Sequence, residues 1–88
     1  MKRSKQWSKV LDLEVQRWSA IPYEELLSTL QHLHTYEIEM ASTKYQVEVE
    51  ILEKTDQYLH VMVAVDDGSL PASILPSCRT FICTKQGP

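Results

Sequence analysis

Glycine is scarce in this chain, with two in 88 residues. A phosphate-cradling loop or a dinucleotide fingerprint needs more, so neither is expected. Long apolar runs are also missing. The longest, Val61-Met62-Val63-Ala64-Val65, falls far short of the ~20 residues that cross a membrane. The basic N-terminal residues are followed by no apolar stretch, which argues against a signal peptide. Cysteine is limited to Cys78 and Cys83, a spacing that fits no zinc pattern. On or beside one strand, the two thiols would need a turn between them to meet as a disulfide. A reducing, cytoplasmic setting is the expectation. Positive charge is sparse beyond the first turn. Lys2, Arg3, Lys5 and Lys9 precede every acid, and residues 10–88 then hold five basic against twelve acidic side chains. A body of charge −7 repels nucleic acid and anionic lipid, so neither is expected as a partner. The basic start reads as a solvated, frayed turn.

What remains is an ordinary globular composition, 43 % hydrophobic and 24 % charged. Its length suits one domain, with residues 1–4 and 86–88 frayed. A domain of this size buries roughly 60–65 % of its unfolded surface, so pairing with another copy would add useful burial.

The clearest pattern is alternation with little break. Tyr36, Ile38 and Met40 alternate with Glu37 and Glu39. Tyr45, Val47, Val49 and Ile51 alternate with Gln46, Glu48, Glu50 and Leu52. Leu59, Val61, Val63 and Val65 alternate with His60, Met62 and Ala64. A period of two marks strands with one buried face. Arg79 to Lys85 reads as a fourth strand, with either Phe81 and Cys83 or Ile82 turned inward; Phe81 would bury the larger area.

The first third of the chain reads as two helices. Trp7, Val10, Leu11, Val15 and Trp18 form one stripe near a 3.6 period. Glu14 interrupts that stripe, and Leu11, Leu13 and Val15 also alternate with polar residues. A strand over 10–18 is therefore the competing reading, although no turn signal bounds it. Pro22 suits a first helical position, and Glu24 and Glu25 complement the helix dipole. Leu26, Leu27, Leu30 and Leu33 supply a buried face, with His32 and His34 at the end of a helix over about 22–33.

Parity constrains the hairpins. A two-residue loop at Ala41-Ser42 places Glu39 opposite Lys44 and Glu37 opposite Gln46, which avoids opposed carboxylates. A three-residue loop at Lys54-Thr55-Asp56 places Ile51 opposite Leu59, Val49 opposite Val61 and Glu50 opposite His60. Asp66-Asp67-Gly68 signals a turn, residues 69–77 an irregular connection with one helical turn at Ala72–Ile74, and Gln86-Gly87-Pro88 a tail. The expected fold is α+β: two N-terminal helices packed on one face of a four-stranded, mainly antiparallel sheet, ααββββ in two layers.

The runs Pro22-Tyr23-Glu24-Glu25-Leu26-Leu27, Tyr45-Gln46-Val47-Glu48-Val49 and Val65-Asp66-Asp67-Gly68, with Pro76 and Phe81-Ile82, resemble a group of small uncharacterised bacterial α+β proteins. The resemblance spans residues 20–84. It implies this element order and a bacterial source, and it carries no activity, ligand or catalytic residue.

Chemistry-bearing clusters are thin. His32 and His34 with His60, and Glu37 or Glu50, are candidate metal ligands, but zinc needs three or four donors converging. The bland reading is a helix-end pair and one sheet-surface histidine. Glu37, Glu39, Glu48 and Glu50 read as a solvated sheet face rather than an acid–base pair. Asp66-Asp67-Gly68 lacks the alternating oxygens of a calcium loop. No nucleophile elbow or paired zinc motif is present. The expectation is a non-catalytic protein-interaction module without a cofactor, pairing with itself or another protein. Trp7, Met62 and Leu52 are its contact candidates. The alternative is a metal- or small-ligand-binding domain using His60 and Glu50.

Overall fold

The computed structural model describes residues 2–66 and 77–85. Among these the chain forms α1 (Lys2–Ser19), α2 (Tyr23–Thr29), β1 (His34–Met40), β2 (Thr43–Lys54), β3 (Tyr58–Asp66) and β4 (Ser77–Thr84). The strands make one antiparallel meander in the order β1-β2-β3-β4. Asp67-Gly68, the helical turn at Ala72–Ile74 and the tail Gln86-Gly87-Pro88 lie outside the described residues.

The helices cover one sheet face, with α1 against β3 and β4. The α1 stripe buries Val10, Leu11 and Trp18 fully and Trp7 and Val15 in part, which decides for helix over strand at residues 10–18. These side chains meet Tyr45, Val47, Val49, Leu59, Val61, Val63 and Val65 from the sheet. Pro22 is the N-cap of α2 and stands in extended backbone, just before the helix begins. Leu26 and Leu30 are buried, and Leu30 closes the helix with its N–H on the Leu26 carbonyl.

The second helix is shorter than the expected span of 22–33. It stops at Thr29, Leu33 is half exposed, and His34 opens β1 instead of ending a helix. Strand pairing explains this, because His34 lies opposite Val49 and extends the first hairpin by two residues.

That hairpin has the expected register, with Glu39 opposite Lys44 and Glu37 opposite Gln46. Its two-residue turn holds Ala41 at φ 51° and Ser42 at φ 68°. Both positive values belong to the mirror-image turn that matches strand twist.

The second hairpin departs from the expected register. Ile51 lies opposite Val61 rather than Leu59, and Val49 opposite Val63. Glu50 consequently faces Met62, and His60 faces Glu53. The cause lies in the turn. Thr55 Oγ1 accepts the N–H groups of Gln57 and Tyr58, and the Thr55 N–H donates to the Tyr58 carbonyl. This fold of the turn pairs Lys54 with Leu59, a register of the wrong parity for the buried valines. An irregularity between Ile51 and Glu53 restores parity by leaving Leu52 without a cross-strand partner in the register.

In β4, Phe81 and Cys83 turn inward, opposite Val61 and Leu59. Ile82 points the other way and is 54 % exposed.

Candidate functional site

The sheet face away from the helices is divided. On β1 and β2 it carries Glu37, Glu39, Glu48 and Glu50, all exposed, with Lys44 and Gln46. On β3 and β4 it carries Tyr58, His60, Met62, a buried Ala64 and the exposed Asp66 beside Cys78, Thr80 and Ile82. Met62 sits between Glu50 and Thr80 at the junction of the halves and is half-buried. Two strands therefore repel anions, while the other two carry one outward carboxylate, Asp66, at the end of β3.

The two outer strands are guarded differently. A bare edge is a template for another strand, and charged side chains are the usual protection. β1 has Glu37 and Glu39 on its open face, and its final carbonyl, at Met40, accepts a hydrogen bond from Gln6 Nε2 at 2.9 Å. Between Cys78 and Cys83, β4 has one charge, Arg79, whose guanidinium pairs with Asp12 of α1. Its open-face residues Cys78, Thr80 and Ile82 are exposed and uncharged.

The expected site residues scatter over this frame. Trp7 packs against the core and is partly covered. Leu52 is 49 % exposed and borders an open groove of about 520 Å³ with Leu27, Leu30 and Ile51. His60 and Glu50 stand on neighbouring strands of the outer face, but the register separates the expected pair. His34 lies on the inner side of β1 with Tyr36, so it cannot converge with His60 on the outer face of β3. His32 is exposed in the link between α2 and β1. No group of three histidine, cysteine, aspartate or glutamate side chains suited to a metal occurs among the described residues. The two thiols are free, Cys78 exposed and Cys83 buried on the opposite face. Burial pushes the Cys83 thiol up from its ordinary pKa.

One polar network was hidden from the sequence reading. Glu14, the intruder in the α1 stripe, is 6 % exposed. Its Oε1 accepts a hydrogen bond from the Tyr36 hydroxyl, and Arg17 lies 3.7 Å from the same oxygen. Trp18 Nε1 donates to the Tyr36 oxygen at 2.8 Å. The His34 ring stands edge-on to Trp18 at 5.5 Å and tilted to Tyr36 at 5.4 Å. Burial first, and then the Glu14 hydrogen bond, push the Tyr36 phenol up to about 12. A buried carboxylate needs such a donor, and here the donor ties α1 to an outer strand. The available signal was a lone carboxylate in an apolar stripe together with an inward-facing tyrosine.

The β2–β3 turn is anchored in a similar way. Tyr23 of α2 donates to the Thr55 carbonyl at 2.6 Å, and Lys85 lies over the Tyr23 ring at 5.9 Å. The Tyr58 hydroxyl donates to Glu53 at 3.0 Å, which raises the Tyr58 phenol above its ordinary pKa.

No helix among the described residues is long and apolar enough to cross a membrane. No protein-family model, curated protein or solved structure matches the chain.

Proposed function

We propose that the chain is a small bacterial, cytoplasmic protein-interaction module that associates with itself and performs no catalysis. The observation that carries this reading is the stretch of the outer sheet face between Cys78 and Ile82 of β4 and their partners on β3, which carries no carboxylate, lysine or arginine. Met62, Thr80 and Ile82 lie side by side there, with Met62 half-buried and Ile82 54 % exposed at an outer strand. Apolar surface gathered beside an outer strand is a feature of association sites. The acidic half has the opposite effect and keeps unrelated anionic surfaces away.

Catalysis has less support. The raised groups Tyr36, Tyr58 and Cys83 owe their shifts to burial or to a local carboxylate hydrogen bond. His60 and Glu50, the pair that acid–base chemistry would have needed, stand out of register. An exposed Cys78 thiol fits a reducing compartment.

Size-exclusion chromatography with light scattering, run from micromolar to millimolar chain, tests self-association. The expected mass rises from the 10.2 kDa of one chain toward twice that value. A mass of one chain at every concentration would sink the reading.

A further inference from the structure

We propose that self-association runs through the edge of β4, with two copies pairing β4 to β4 in antiparallel fashion to form one continuous eight-stranded sheet. This inference rests on the self-association reading and adds its surface, its partner and its geometry. The partner is a second copy of this chain.

Three observations choose the edge. Among the described residues, β4 has a strand on one side only, and Cys78–Cys83 offers the next strand no charge except Arg79. That charge is engaged by Asp12 on the helix side. The competing edge, β1, would oppose Glu37 and Glu39 of one copy to the same residues of the other. Like charges placed across a strand pair destabilise it.

Charge distribution also chooses the occupant's orientation. A two-fold axis perpendicular to the sheet makes paired strands antiparallel and leaves both helix layers on one side. Residues then contact their own counterparts reciprocally, as a closed dimer requires. In the resulting order the two β2 strands stand five spacings apart, about 24 Å at ~4.8 Å per strand. That distance is about three Debye lengths at physiological salt, so the acidic halves scarcely repel each other. Stacking the open faces with the acidic halves in register would instead bring like-charged strands within about 10 Å. Main-chain pairing over six residues makes a small interface, below the roughly 1,200 Å² of stable complexes, so a micromolar or weaker dimer is expected.

Two measurements on the full chain test this. The first places a nitroxide label at Glu37→Cys in a Cys78→Ser background and reads the distance between copies by pulsed electron resonance. A continuous sheet separates the β1 strands by seven spacings, about 30–35 Å. A distance under about 20 Å, as in face-to-face stacking or β1 pairing, would overturn the β4 geometry and leave self-association standing. Absence of any inter-copy signal in a chain of monomer mass would overturn both. The second introduces edge charge with Thr80→Lys and, separately, Ile82→Lys. Each is expected to raise the dimer dissociation constant at least tenfold, while Gln46→Lys on β2 leaves it within twofold. Equal effects from all three would count against the β4 edge. Circular dichroism confirms that each variant is folded before its association is compared.

Discussion

At the scale of single residues, Glu14 is the costly element. A carboxylate exposed by only 6 % within an apolar helix face is tolerated because Tyr36 donates to it and Trp18 donates to Tyr36. Tyr36→Phe therefore removes one donor and one acceptor together. The expected loss is about 1–3 kcal/mol in urea unfolding, the usual cost of stranding buried polar groups. Adding Glu14→Leu should return part of that loss, because the carboxylate that needed the phenol is then gone. Additive losses would mean that the two side chains act independently. The phenol also sets an alkaline limit. Its folded value of about 12 exceeds the ordinary 10, so its contribution is complete below pH 10 and fades as pH rises through 12. After allowance for solvent screening at a half-exposed ring, that contribution is about 1 kcal/mol. Unfolding at pH 9 and pH 12 should show it in the native chain and not in Tyr36→Phe.

At the scale of elements, the turns decide what was legible. The Ala41-Ser42 turn places two non-glycine residues at positive φ, a conformation that costs L-residues energy. Ala41→Asn with Ser42→Gly should stabilise the chain by about 1–2 kcal/mol, read as a higher thermal midpoint. An unchanged midpoint would show that the turn carries no strain. The register of this hairpin was readable from sequence because opposed glutamates left few choices, and Glu39 does face Lys44. The second hairpin was not readable by parity. The Thr55 hydroxyl captures two backbone N–H groups, and a bulge at Leu52 absorbs the resulting mismatch. No alternation rule carries information about a side chain folding its own turn. The end of α2 was also hidden, since leucines continue to Leu33 while the backbone leaves the helix after Thr29. The inward turn of Phe81 followed from burial area alone. Of the candidate site, the acidic half of the open face was legible. The Glu50–His60 pair was lost with the register on which it depended.

At the scale of the whole molecule, the described residues form a sheet with one face covered by helices and two unequal edges. β1 carries two glutamates and a hydrogen bond from Gln6, whereas β4 presents Cys78, Thr80 and Ile82. That asymmetry favours pairing through one edge and disfavours it through the other. A small domain gains burial by such pairing, and an edge joined to its own copy no longer recruits unrelated strands. The most direct measurement is amide hydrogen exchange followed by NMR at low micromolar and at millimolar concentration. If β4 pairs with β4, protection of alternate amides within 78–83 increases with concentration, while the amides of 35–39 in β1 stay unchanged. Exchange in β4 that is independent of concentration, or protection that grows in β1 instead, would contradict pairing through β4.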